Sequence, residues 1–382
     1  MLALVNATII PVDQKPIVGG AMLIRQSQIA AVGQNIAVPS EATILDLQGC
    51  FILPGWVDAH THVGNWGEAE GRSAYDGNEG AAALTPQVRG IDAINPAHHS
   101  FADARAIGTT TLQTGPGSGN PIGGEQVVMK TAGKIIDSMV LRAPSGLKSA
   151  LGENVKGFHG RVMNRMPATR MGAAALIRES FFKARDYMRR RAEGKAEFDL
   201  GMESYVKVLN GEIPLRVHAH RADDIVTACR IAKEFGIQIS LEHCTDGHLI
   251  ADYLAEQGFP ACVGPTLGHR SKLETANLTF DTPRILHEAG VKFALITDHP
   301  FVPIPFYNVV GALVARAGLS TEATLRAMTL SPAEILGVDK RVGSLTEGKD
   351  ADFVIWSDHP FKAKARVLQT FIDGQRVYRS DM

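Results

Sequence analysis

The stretch FILPGWVDAHTH, residues 51–62, decides the fold of this 382-residue chain. Side chains alternate along a β-strand, so residues two apart point to the same side of it. An apolar run that ends in His60-Thr61-His62 therefore offers two imidazoles to one metal ion. We expect other strands to deliver polar residues to the same place. Three short apolar runs downstream end in Val217-His218, Glu242-His243 and Thr297-Asp298.

The composition is that of a chain that can bury a large core. It is 45% hydrophobic and 21% charged, with a formal net charge of −1. No basic surplus points to nucleic acid or to a membrane surface, and no stretch reaches the roughly 18 apolar residues of a spanning helix. The four cysteines lack paired spacing and are expected to be reduced thiols. Because the first residues do not resemble a secretion signal, we expect a cytoplasmic protein.

Both ends of the chain are β-rich and are broken by turn residues, with Asp373-Gly374 placed as a hairpin turn. We therefore expect the ends to meet in one small β-sandwich domain built from residues 1–55 and 345–382. The expected strands are 2–10, 21–25, 29–32, 352–356, 367–371 and 375–378.

Between the ends, strand-like runs alternate with helical patterns, which indicates a parallel sheet with crossover helices. We predict that residues 56–344 form a (β/α)8 TIM barrel, so the fold class is α/β. An open doubly wound sheet is the alternative, but it would usually gather its ligand at one crevice. Polar residues end several separate strands here, as the mouth of a barrel requires.

The residues at these strand ends suit a divalent metal, because imidazole nitrogen and carboxylate oxygen are the donors that zinc and related ions prefer. A catalytic ion keeps an open position for a water molecule, and a neighbouring carboxylate can then act as a general base. The candidate ligands on this reasoning are His60, His62, His218, His243 and Asp298.

The chain resembles the amidohydrolase superfamily over essentially its whole length, and most of all its imidazolonepropionase-like and metal-dependent dipeptidase-like branch. The resemblance implies a metal-dependent hydrolase that cleaves a C–N bond in an amide, a cyclic amide or a dipeptide-like small molecule. It also implies one or two divalent ions, with zinc as the expected metal. The motifs that carry it are PGWVDAHTH (54–62), AIGTTT (106–111), EH (242–243), LITDHP (295–300) and GSLTEGKDADFV (343–354).

The resemblance also assigns roles to individual residues. His60 and His62 match the metal ligands of the first barrel strand, His218 that of the fifth and His243 that of the sixth. Asp298 matches the eighth-strand aspartate, which touches the metal and shuttles the proton. Should Asp298 not be the base, His243 is the next catalytic candidate.

Two ligand positions stay open at this stage. At the fourth strand, two-metal relatives use a lysine carbamylated by carbon dioxide; Lys148 can take that role, and Glu153 could bridge without modification. We favour Lys148. At the fifth strand, His218 and His220 face the same side, and we favour His218 as the ligand and place His220 in the substrate pocket.

One departure from the superfamily pattern bears on the reaction. One-metal deaminases carry a glutamate three residues after the fifth-strand histidine, and this chain has Arg221 there. We therefore rank ring deamination below hydrolysis, and a non-enzymatic scaffold lowest, since the expected ligands are all present. The planar guanidinium of Arg221 could instead hold a substrate carboxylate.

The loops should carry specificity, and one sequence does not decode them. We expect residues 64–100 and 264–281 to contribute most. The glycine-rich segment 115–124 lacks the ending of a phosphate-binding loop, and we interpret it as a long loop near the barrel mouth. The oligomeric state is open, and a homo-oligomer is one outcome.

Overall fold

The computed structural model describes residues 1–66 and 75–381, and in these ranges it contains sixteen strands and ten α-helices. The strands are β1 (Leu2–Ile9), β2 (Ile17–Arg25), β3 (Gln28–Gly33), β4 (Thr43–Asp46), β5 (Phe51–Pro54), β6 (Trp56–Asp58), β7 (Thr109–Thr114), β8 (Ile122–Lys130), β9 (Val140–Ala150), β10 (Leu215–Ala219), β11 (Ile239–His243), β12 (Ala261–Val263), β13 (Phe293–Leu295), β14 (Phe353–Trp356), β15 (Val367–Ile372) and β16 (Gln375–Arg379). The helices are α1 (His99–Ala106), α2 (Glu153–Lys156), α3 (Arg170–Ala192), α4 (Leu200–Leu209), α5 (Ala222–Phe235), α6 (Ala251–Gln257), α7 (Thr282–Glu288), α8 (Tyr307–Arg316), α9 (Thr321–Met328) and α10 (Leu330–Leu336).

The two chain ends meet in one sheet, as predicted. Its strand order is β16-β15-β14-β5-β1-β2-β3, with β4 paired to β1. The C-terminal strand β14 runs antiparallel to β5, and Phe353 lies opposite Pro54. A core of its own, which includes Leu4, Met22 and Phe353, covers one face of this sheet. The domain limits at 55/56 and 344/345 stay a prediction.

The second sheet is a nearly closed eight-stranded barrel in the order β13-β12-β11-β10-β9-β8-β7-β6, so the predicted fold class is confirmed. Its two end strands are joined by contacts from the loop after β13 and from the first residue of α8. The Asp298 amide donates to the His60 carbonyl across 3.0 Å. The Tyr307 hydroxyl lies 3.0 Å from the Val57 carbonyl and 2.7 Å from that of Leu295. These contacts bring the first and last strands of the barrel together, with their polar ends side by side.

The barrel departs from the expected parallel alternation at its third strand. β8 is antiparallel to both β7 and β9, and no α-helix separates these three strands in the described chain. A parallel pair needs a crossover of a dozen or more residues, whereas an antiparallel pair can be joined by a short loop. The glycine-rich loop is accordingly shorter than predicted. It ends where β8 begins at Ile122, and a Cβ at Gly124 in β8 would collide with the Val88 carbonyl.

The barrel and the terminal sheet are joined by a buried ion cluster. The Lys130 ammonium, at the end of β8, donates to Asp350 across 2.7 Å, to Asp352 across 3.1 Å and to Asp373 across 2.6 Å. These carboxylates come from the C-terminal part of the chain, so one barrel lysine holds the returning segment. In the described residues, no helix is both long and apolar enough to cross a membrane.

Candidate metal centre

At the barrel mouth, three buried histidines each have their Nδ1 atom held by a hydrogen-bond acceptor. His60 Nδ1 lies 2.7 Å from the Glu242 carboxylate. His62 Nδ1 lies 3.2 Å from the Gly115 carbonyl, and His243 Nδ1 lies 2.9 Å from the Gly264 carbonyl. Carbonyl and carboxylate oxygens only accept, so each Nδ1 must donate. The lone pair of each histidine is therefore on Nε2, the atom left to bind a metal.

Asp298 lies among these imidazoles. Its Oδ1 is 3.4 Å from Nε2 of both His60 and His62. Potential ligand atoms of His60, His243 and Asp298 all lie within 4.8 Å of one another. Burial, the largest single influence, raises the pKa of Asp298, but the neighbouring histidines, above all His243, outweigh it and hold that pKa well below its ordinary value. Asp298 is therefore a carboxylate at neutral pH.

Two of the candidate ligands have a strained backbone. His243 has φ +73° and Asp298 has φ +52°, in the left-handed region that residues other than glycine seldom adopt. Such a conformation costs about 1–3 kcal/mol and clusters at functional sites. The strain turns each side chain toward the centre at the point where its strand ends.

The fifth strand brings both of its histidines to the centre. The ring centroids of His218 and His220 lie 4.3 Å and 4.7 Å from that of His243. Potential ligand atoms of these three residues again fall within 4.8 Å. Burial lowers the pKa of His218 well below its ordinary value and that of His220 to about 4. Both are thus neutral and able to bind a metal, and geometry alone does not choose between them.

The structure separates the two fourth-strand candidates. Lys148 is fully buried, and its Nζ is 3.4 Å from His60 Nε2. Burial lowers the pKa of Lys148 to about 8. Glu153 instead lies in the first turn of α2, where its carboxylate accepts from the Glu274 amide across 3.4 Å. Of the two side chains, Lys148 is the one in contact with the imidazole group.

The structure does not bring Arg221 to the cavity. Its guanidinium donates to Asp223 across 3.0 Å and 2.9 Å, and the residue does not line the cavity described below. His220 does line it.

Three buried charged residues near the centre were not assigned a role from the sequence. Glu242, which orients His60, also pairs with Arg216 across 3.0 Å, and both are fully buried inside the barrel. The sequence contained a signal for Glu242 and Arg216, because each interrupts a mainly apolar strand and a buried charge needs a partner. Glu274 is also buried, and its Oε1 lies 3.9 Å from Nε2 of both His218 and His220. It lies in a single-turn 3-10 helix, Leu273–Thr275, which is too short to show a sequence pattern.

A cavity of about 460 Å³ opens onto this centre. Its floor includes His62, His218, His220 and Asp298, and its walls include Trp66, Tyr75 and the loop after β12. A cavity of this size can hold a small-molecule substrate against the cluster of histidines.

Comparisons with known proteins agree with this arrangement. The family model described as "Amidohydrolase family" matches residues 51–377. The crystal structure of an amidohydrolase from Thermotoga maritima MSB8 is 43% identical, covers 100% of both chains and has a TM-score of 0.96.

Two curated relatives extend the likeness. The amidohydrolase tasK of Hapsidospora irregularis is 28% identical over 93% of this chain, which spans only 39% of that protein. An imidazolonepropionase of Symbiobacterium thermophilum is 26% identical over 90% of this chain and 85% of its own length. Both the histidine-rich centre and the matched residues lead to one conclusion: this chain belongs to the amidohydrolase family, whose members are hydrolases that generally use a divalent metal.

Proposed function

We propose that this protein is a metal-dependent hydrolase that cleaves the C–N bond of an amide, a cyclic amide or a dipeptide-like small molecule. The observation that carries the proposal is the shared orientation of His60, His62 and His243. Each donates from Nδ1 to an oxygen acceptor, which leaves Nε2 for a metal ion. The imidazolonepropionase and amidohydrolase relatives support a substrate of this class.

The residues present fit a divalent ion, and zinc is our expected metal, with one or two ions per chain. His60, His62 and Asp298 would hold one ion, and His218 and His243 a second, with His220 as the alternative to His218. A bound ion of this kind polarises a carbonyl and lowers the pKa of water. Imidazole and carboxylate donors match zinc, and the oxygen acceptors behind the imidazoles are the partners that usually orient zinc-binding histidines.

We assign Lys148 as the bridging residue between the two ions. Its ammonium would first lose a proton to water. The neutral amine would then attack carbon dioxide, form an N–C bond and release a second proton, which gives a carbamate anion as a carboxylate-like ligand. Glu153 is the alternative bridge, and its contact with the Glu274 amide argues against it.

Asp298 is our proton shuttle. Its carboxylate would accept a proton from the attacking water and return it to the leaving nitrogen, so that hydroxyl ends on carbon and hydrogen on nitrogen. His243 is the alternative base. His220 would contact the substrate from the cavity wall, whereas Arg221 would first have to leave its ion pair with Asp223 to hold a substrate carboxylate.

Metal analysis combined with assays on amides, lactams and dipeptides tests the proposal. We expect His60→Ala to lose metal and activity. Asp298→Asn should lower turnover by about 10²–10⁴, the usual effect of losing a general acid–base group. Lys148→Ala should lose one ion, whereas Glu153→Ala, the matched control, should keep both. Full metal occupancy in His60→Ala, or ammonia release from a ring amine with no cleavage of any amide, lactam or dipeptide, would contradict the proposal.

A further inference from the structure

One wall of the cavity is built from aromatic rings. The Trp66 ring lies parallel to the imidazole of His62, with centroids 4.4 Å apart and planes at 12°. Tyr75 and Phe301 contact Trp66 at centroid distances of 4.7 Å and 5.7 Å. Trp66, Tyr75 and Phe301, named here the aromatic wall, thus form an apolar surface that begins at a candidate metal ligand.

This wall presents its rings to the cavity instead of burying them in the core. Tyr75 is 48% exposed and Phe301 is 56% exposed, and both line the cavity. A single exposed apolar side chain is ordinary, but adjoining ones beside a polar centre mark a binding surface. The Phe301 amide also donates to the Asp298 carbonyl across 2.9 Å, so the position of this ring is tied to that of the proton shuttle.

Another part of the cavity lining is polar, and three of its side chains, Asn154, Ser118 and Lys272, are already paired with one another. Asn154 donates to the Ser118 hydroxyl across 2.8 Å and accepts from the Lys272 ammonium across 2.5 Å. Lys272 is the single lysine or arginine among the described lining residues, and it also lies 3.6 Å from Glu274. With its charge balanced, Lys272 offers little attraction to an anionic substituent. The aromatic wall, in contrast, provides apolar surface that a ligand can contact.

We propose that the substrate carries a planar apolar group of phenyl size or larger close to its scissile C–N bond. This group packs against the aromatic wall while the bond itself faces His62 and Asp298. The inference rests on the proposed function for the nature of the bond, but the wall recognises the group whether or not the bond is cleaved.

The size of the effect follows from the area that such a group buries. Removing a phenyl group from water against apolar walls improves affinity by about 10- to 100-fold. A single ring-to-ring contact within that total is worth about two- to tenfold. Loss of Phe301 alone should therefore remove a measurable part of the preference.

The chain provides its own fluorescent probe. It has three tryptophans, and Trp56 and Trp356 are fully buried against each other in the core, with ring centroids 5.8 Å apart. Trp66 is the tryptophan that lines the cavity. The zinc-loaded protein is titrated with 3-phenylpropanoate and with propanoate, which differ by one phenyl group and have no C–N bond to cleave. Trp66→Phe keeps an aromatic ring and should abolish the fluorescence signal, which identifies its source.

We expect 3-phenylpropanoate to bind at least about tenfold more tightly than propanoate. Phe301→Ala should reduce that ratio by about two- to tenfold. Phe198→Ala, which removes an equally exposed phenylalanine (62%) outside this cavity, should leave the ratio unchanged. Equal affinity for the two acids, no response of Trp66 to either, or an unchanged ratio in Phe301→Ala would overturn the inference. A retained phenyl preference in a protein that hydrolyses no C–N bond would instead overturn the proposed function alone.

Discussion

Two buried lysines in neighbouring strands of the barrel have opposite environments. Lys130 ends β8 and Lys148 lies near the end of β9, and both are removed from solvent. Lys130 has three carboxylates within hydrogen-bond distance. The nearest polar contact described for Lys148 is an imidazole nitrogen at 3.4 Å.

The two environments move the pKa values in opposite directions. Burial lowers the pKa of Lys130, but Asp352, Asp350 and Asp373 together outweigh it and raise that pKa above its ordinary value. Burial also lowers the pKa of Lys148, and there Glu242 and Asp298 are too weak to compensate, so the value falls to about 8. A buried lysine therefore stays a fixed charge where carboxylates contact it directly, and becomes a reactive amine where they do not. How deeply the side chain is buried does not distinguish the two cases.

The largest expected effect comes from removing the fixed charge. Lys130→Met would leave the buried carboxylate of Asp352 without a cation, whereas Asp350 would keep its ion pair with Arg341 across 2.7 Å. The loss should lower the free energy of unfolding by about 3–5 kcal/mol. Urea unfolding of the wild type and the variant at pH 7 measures this loss of unfolding free energy. Lys134→Met, at an exposed position four residues on, is the control. A loss in Lys130→Met no greater than in the control would show that the ion cluster does not hold the terminal segment.

A smaller effect should appear when the pH of the metal-free protein is raised. The pKa of Lys148 is about 8 in the folded protein and near its ordinary value of 10.5 when unfolded. Below pH 8 the folded state bears the cost of a buried charge, and this cost disappears as pH rises toward 10.5. The unfolding free energy of the wild type relative to Lys148→Met should therefore increase by about 2 kcal/mol between pH 7 and pH 10. Urea denaturation of both proteins at pH 7 and at pH 10 measures this change. If the difference in unfolding free energy between the two proteins does not depend on pH, the lowered pKa of Lys148 is contradicted.

The smallest effect is expected at the edge of the ion cluster. Asp373 contacts Lys130 across 2.6 Å, but its side chain is 44% exposed. Solvent screens such a pair, so Asp373→Asn should cost less than about 1 kcal/mol in the same unfolding experiment. A loss comparable to that of Lys130→Met would mean that the exposed carboxylate, and not the buried pair, carries the cluster.

Much of the fold was predictable because its signals are local. Alternating apolar residues and turn dipeptides located most strands at the two ends, and β14 to β16 lie within two residues of their expected limits. β4 was missed, and β2 begins at Ile17 instead of the expected residue 21. Strand β8 itself was not predicted, because the glycines of its first part indicated a loop over residues 115–124. Its antiparallel direction depends on the length of its connections to β7 and β9.

The sequence by itself indicated which side chains gather at the barrel mouth, since each lies at or shortly after the end of a barrel strand. They are His60, His62, His218, His243 and Asp298. Only the tertiary structure decided how they are supported. Arg221 pairs with Asp223, which is two residues away, and the structure shows that this pair lies outside the cavity lining. Glu242 reaches His60 from another strand, and the Glu153 carboxylate accepts from the backbone amide of Glu274, 121 residues further along the chain. These last two contacts join segments far apart in the chain, and local pattern carries no information about them.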